Sequence, residues 1–109
     1  MLESLLGSKN RERVLMFIYC RNEGYAREIA RFFETTLDPV QKQMDRLEAG
    51  GILSSRNSGR TRVYTLNPRY PFLFELKSLL EKALSFYPAE EKDRLSIVRK
   101  RPRRKDKPL

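Results

Sequence analysis

Two groups of side chains have types and spacing that could do chemistry, and in both the chemistry is non-covalent. Gln41, Lys42, Gln43 and Arg46 stand close together and combine amides with cations. An amide can pair with the edge of an adenine, and a cation with that of a guanine. Arg56, Arg60 and Arg62 surround Asn57-Ser58-Gly59, with no acid from Ser54 to Thr65, an arrangement that attracts phosphate. Arg27 is a further phosphate candidate, and Thr36 either donates a hydroxyl there or caps a helix. Plainer alternatives remain open: a solvated helix face for the first group, and a charged hairpin edge for the second. Covalent catalysis lacks its parts, because the chain has no histidine, one cysteine and no glycine-rich phosphate loop. No enzyme activity, metal or cofactor is expected, and Cys20 reads as a small buried or half-buried side chain.

The elements that must hold these groups are legible in the pattern of apolar residues. Ser8 caps a helix over residues 9–20, with Val14, Leu15, Phe17 and Ile18 at helical spacing. After Asn22-Glu23-Gly24 a second helix, residues 26–33, faces Ile29, Ala30 and Phe33 inward. A third helix starts with Asp38 as cap, Pro39 at the first helical position and Gln41 as capping-box partner, or two residues earlier with Thr36 as cap. Val40, Met44 and Leu47 form its buried stripe, which turns Gln41, Lys42, Asp45 and Arg46 to solvent and leaves Gln43 at the margin. Gly50 and Gly51 stop it. Residues 52–56 and 61–66 fit two strands about the Asn57-Ser58-Gly59-Arg60 turn, with Tyr64 and Leu66 in the core.

Two prolines in Asn67-Pro68-Arg69-Tyr70-Pro71 stiffen the link to a helix over residues 72–87, which is apolar on more than one face. Such a helix contacts more than its own domain. With the Leu2, Leu5 and Leu6 patch, its Phe72, Leu76, Leu80 and Leu84 make the expected dimer interface. Pro88 ends the helix, and residues 89–98 fit one or two further turns.

At 109 residues the chain suits one domain, divided as residues 1–87 and an extension over residues 88–109. Its 23 basic and 14 acidic residues give a net charge of +9, and Arg99 to Lys107 holds seven of the bases and one acid. That tail has nothing to bury and is expected to be disordered when free. It either adds nonspecific affinity for DNA by releasing counterions or serves as a solubilising end. No apolar run approaches the roughly 18 to 20 residues of a membrane span, and MLESLLGSKNRERV lacks the charged start, apolar stretch and small-residue cleavage site expected of a signal peptide. A cytoplasmic protein without a membrane partner is expected.

Helix, helix, tight turn, helix and basic hairpin, in that order, make a mainly α fold with a small β-hairpin. It is a winged helix-turn-helix with additional N- and C-terminal helices. LEAGGIL followed by SGRTRVYTLNP resembles the winged helix-turn-helix transcriptional regulators of the ArsR-like group, with Leu47, Gly51 and Ile52 at the family's positions. YAREIARFF is similar to the helix before the recognition helix, and LLGSKNRERVL to the opening helices, so the resemblance covers roughly residues 2–86. It implies a sequence-specific regulator of double-stranded DNA, repressor-like and homodimeric through its terminal helices. The group's metal sensors carry cysteines on the recognition helix, or acids and histidines on the terminal helix. This recognition helix has no cysteine and the chain no histidine, so a regulator that does not sense metal is implied. The alternative is a winged-helix protein-interaction module that uses the apolar C-terminal helix on a protein partner, without sequence-specific DNA binding.

Overall fold

A helix whose middle is apolar in every direction has to be surrounded, and that requirement organises this chain. The computed structural model describes residues 1–97; the basic run Arg99–Lys107, with its expected disorder, lies outside them. Helix α1 (Glu3–Leu6) leads into α2 (Lys9–Arg21), whose N-terminus is capped by Ser8 Oγ accepting from Arg11 N at 3.2 Å. Val14, Leu15, Met16, Phe17 and Ile18 of α2 are all buried, because α4, α5, α6 and β2 pack around it. The sequence pattern placed Val14, Leu15, Phe17 and Ile18 at helical spacing; the structure buries Met16 with them and makes the helix the central rod.

Helix α3 (Ala26–Phe32) and helix α4 (Leu37–Ala49) follow, joined by a tight turn in which Thr35 N donates to Ala30 O at 2.9 Å. Helix α4 begins at Leu37 with Thr36 as its N-cap residue, the earlier of the two starts allowed by the sequence, although the Thr36 side chain makes no capping bond. Pro39 therefore sits inside the first turn. A missing N–H costs nothing there, since first-turn N–H groups have no intrahelical acceptor. Val40, Met44 and Leu47 form the buried stripe as expected.

Strands β1 (Leu53–Ser58) and β2 (Thr61–Leu66) pair antiparallel from Leu53 with Leu66 to Ser58 with Thr61. Gly59 takes φ +63° in the two-residue turn, a backbone that favours glycine and a geometry that matches strand twist. Ser58 thus ends β1 two residues beyond the expected limit. Gly24 adds a third, one-residue rung by exchanging backbone hydrogen bonds with Tyr64 at 2.8 and 3.0 Å. Glycine is required at that position because a Cβ would stand 2.9 Å from the Phe17 ring. Tyr64 is buried as expected; Leu66 is half-buried, and Leu53 opposite it goes fully inside.

Helix α5 (Leu73–Leu84) stops before Phe86, and a turn then leads into α6 (Ala89–Ile97). Helix α6 lies against α2, and Leu95 is buried in the same core as Phe17. Helix α6 thus shares the core built on α2. Arg21 clamps α6 by donating from Nε to Leu95 O at 2.9 Å and from Nη2 to Arg94 O at 2.7 Å. Its guanidinium lies 4.5 Å from the Phe17 ring centre, and that of Arg94 lies 4.4 Å from Phe32.

The expected dimer surface is corrected in part. Leu80 is buried in the core of its own chain, and Leu2, Leu6, Leu76 and Leu84 pack partly against that core. Leu5 and Phe72 are exposed, together with Phe74 and Phe86. One apolar face of α5 is used within the chain, and the excess apolar residues lie around it.

Glu12, a buried carboxylate on α2, ties the chain start to the α5–α6 joint. It accepts from Tyr87 Oη at 2.5 Å, from Leu2 N at 2.7 Å and from Met1 N at 3.3 Å. Burial pushes its pKa up, but these hydrogen bonds outweigh burial and leave it below the usual carboxylate value. Burial and the bond to Glu12 push the Tyr87 phenol well up, so it stays a donor. A lowered folded-state pKa gives stability that is present at neutral pH and lost as pH falls through the carboxylate range. Glu12→Gln is expected to cost about 1 to 3 kcal/mol at pH 7. The gap to the native chain should narrow toward acid pH; denaturant unfolding at pH 7 and pH 4 checks this, and a gap independent of pH would contradict it.

Candidate nucleic-acid interface

The turn between α3 and α4 sets the two helices so that the N-terminal half of α4 and the start of α3 face the hairpin. Between them lies a cleft of about 320 Å³ lined by Arg27, Gln41, Arg60 and Arg62, with Tyr25 and Tyr64 in its walls. No carboxylate lines it. Arginines from α3, the turn and β2 thus converge across one opening beside an amide of α4. Such a site fits an anionic backbone whose neighbouring groups are read by the amide.

Arg27 and Arg60 are exposed, and their guanidinium groups make no hydrogen bond or ion pair among the described residues. Arg62 is held: its Nη1 donates to Ser55 Oγ at 3.0 Å, and that hydroxyl donates to Glu48 at 2.5 Å. Ser55 can serve both because one hydroxyl donates once and accepts through its lone pairs. The hairpin arginine is thereby oriented from α4. Gln41 Nε2 donates to Asp45 Oδ1 at 2.9 Å and to Tyr64 Oη at 3.3 Å. Burial raises the Tyr64 pKa and Asp45 and Glu48 raise it further, against the opposing effects of Gln41 and Arg62. Asp45 and Glu48, carboxylates on α4 that would repel phosphate, are both engaged in bonds that position cleft residues.

The remaining sequence-derived candidates divide. Lys42 and Arg46 are exposed on α4 outside the cleft, and Thr36 is exposed at the helix start. Gln43 is corrected: it is 9% exposed, and its Oε1 accepts from Arg11 Nε at 2.9 Å. Arg11 also donates to Leu6 O, so Gln43 belongs to the joint of α1, α2 and α4 and is turned away from solvent. Arg56 is corrected as well. It pairs with Val63 across the hairpin, and strand alternation puts it on the face opposite Arg62. There its guanidinium bonds Glu23 at 3.0 Å, with both side chains about half exposed.

Sequence reasoning placed Tyr64 in the core and missed its hydroxyl, which reaches Gln41. The available signal was chemical: a buried phenol needs a hydrogen-bond partner, and cross-strand pairing puts Tyr64 opposite Ser55 beside α4. The Ser55 relay to Glu48 had no sequence signal, because it depends on the packing of β1 against α4.

No family model matches the chain, and no curated protein matches it. Solved structures do resemble it. HlyU from Vibrio cholerae matches with a TM-score of 0.61 and 21% identity, over 79% of this chain and 84% of HlyU. YusO from Bacillus subtilis matches with a TM-score of 0.59 and 23% identity, over 90% of this chain and 77% of YusO. A structure described as a transcriptional regulator of the MarR family, from Silicibacter pomeroyi, matches with a TM-score of 0.55 and 18% identity, over 91% of this chain and 73% of that one. At these identities the likeness is one of architecture: among the described residues, six helices and an antiparallel hairpin in the order given above. The chain has a winged helix-turn-helix fold.

Proposed function

We propose that this protein is a sequence-specific double-stranded DNA-binding transcriptional regulator and acts as a homodimeric repressor. The observation that carries the reading is the acid-free cleft, in which Arg27, Arg60 and Arg62 bracket Gln41 of α4. In the proposed complex α4 lies in the major groove, with Gln41, Lys42 and Arg46 toward base edges. The hairpin rests on phosphates or in the minor groove through Arg60 and Arg62. The similar structure described as a transcriptional regulator supports the same class. A dimer through Leu5, Phe72 and neighbouring exposed aromatics would give the two-fold symmetry that suits a palindromic site. Membership of the ArsR-like group, without metal sensing, belongs to this proposal and rests on the wing motif and the absence of histidine. No helix among the described residues is long and apolar enough to cross a membrane, in keeping with a proposed place in the cytoplasm beside DNA.

The test is binding of the full chain to duplex DNA from its own upstream region and to a scrambled duplex across a salt series. A second chain, with the arginines and lysines of residues 99–107 replaced by glutamine, is measured in parallel. Preference for the upstream duplex that survives this replacement and higher salt is the expected result. Equal binding to both duplexes that vanishes with the tail charges would defeat the proposal and turn attention to the interaction-module alternative.

A further inference from the structure

We propose that Asp45 sets the base preference of the α4 face by holding the Gln41 side chain with its carbonyl outward; this rests on the DNA-binding reading above. A carboxylate at neutral pH offers only lone pairs, so the part of Gln41 that faces it must be the NH2 group. Gln41 Nε2 lies 2.9 Å from Asp45 Oδ1, four residues on along α4, and 3.3 Å from Tyr64 Oη. Both N–H groups are then used. Turning the amide over would set Oε1 against the carboxylate, lone pair against lone pair. Tyr64 holds the amide from the hairpin side and is itself buried and fixed by its backbone bonds to Gly24.

An unrestrained glutamine reads adenine with both ends, accepting from N6 and donating to N7. In this chain the donating end is committed, and only Oε1 is left for a partner outside the protein. The major-groove edges that donate are the amino groups of adenine and cytosine; guanine and thymine turn acceptors to the same place. The base opposite Gln41 is therefore adenine or cytosine, and guanine and thymine are rejected. Asp45 is a positioning residue in this scheme: it touches no base and acts through Gln41.

The test is selection of duplexes from a randomised pool by the full chain and by full-length Asp45→Asn, Asp45→Glu and Gln41→Ala. Asp45 is exposed and asparagine is nearly isosteric with it, so folding is checked by circular dichroism. The native chain should enrich one base-pair position restricted to adenine or cytosine on one strand, and Gln41→Ala should lose that restriction. An asparagine at position 45 can turn either end of its amide to Gln41 and so frees both orientations. In Asp45→Asn, guanine and thymine should rise about tenfold at that position. Asp45→Glu, which keeps an acceptor in reach, should preserve the restriction. Uniform weakening on all duplexes with an unchanged preference in Asp45→Asn would overturn the inference, as would guanine or thymine at the position that depends on Gln41. If the native chain enriches no sequence, the DNA-binding reading falls with it, an outcome distinct from enrichment that ignores Asp45.

Discussion

Replacing Arg60 and Arg62 together with alanine is expected to lower duplex DNA affinity by about 100-fold or more near physiological salt and to reduce the salt slope by about two. Both side chains open onto the cleft between α3, α4 and the hairpin, whose lining includes no carboxylate. Each charge-assisted bond to a phosphate contributes about 1.5 to 3 kcal/mol, and each contact releases about one counterion. The loss should be the same on preferred and scrambled duplexes, because phosphate contacts carry no sequence information. Arg56→Ala is the internal comparison. Arg56 lies on the opposite face of the hairpin and bonds Glu23, so its removal should change affinity by no more than about threefold. Fluorescence anisotropy across a salt series measures all three, and unchanged affinity in the double variant would end the phosphate assignment.

The second large effect concerns stability. Leu95→Ala is expected to destabilise the chain by about 2 to 5 kcal/mol, the range for truncating a leucine in a packed core. Leu95 is 0% exposed and belongs to the core cluster built on α2, so its removal leaves a cavity where α6 packs against α2. Unfolding should remain a single transition with a midpoint lower by roughly 10 °C or more. A change below about 1 kcal/mol would show that α6 is a dispensable appendage that can leave the core at little cost. Thermal and denaturant unfolding of the full chain decide between these outcomes.

The hairpin arginines were visible in the sequence because Gly59 and the alternating pattern of β2 are local signals, read within a few residues. The buried stripe of α4 followed from the spacing of Val40, Met44 and Leu47 for the same reason. Arg56 was grouped with Arg60 and Arg62 by proximity along the chain. Only the register, with Arg56 opposite Val63 and Arg62 opposite Asn57, puts them on different faces. Gln43 stood at the margin of the α4 stripe, and the arrival of Arg11 from α2 drew it inward.

The apolar C-terminal segment shows the same division. Its composition required burial on more than one side, which was legible, but the identity of the partner was not. Leu80 found the chain's own core, while Phe72 and Phe74 remained exposed. Arg21 and Arg94 carry no local signal in the sequence, yet they clamp α6 through its carbonyls, the Phe32 carbonyl and aromatic faces.

By itself the sequence determined the element types, their order and the winged-helix class, because periodicity, capping and turn chemistry act over one or two turns of chain. The tertiary structure alone decided which charges remain available at the cleft and which hold the fold together. It also decided that Asp45 and Glu48 orient Gln41 and Arg62. The physical reason is that a hydrogen bond between residues distant in sequence exists only once packing brings them within about 3 Å. No local pattern records which distant partner will arrive.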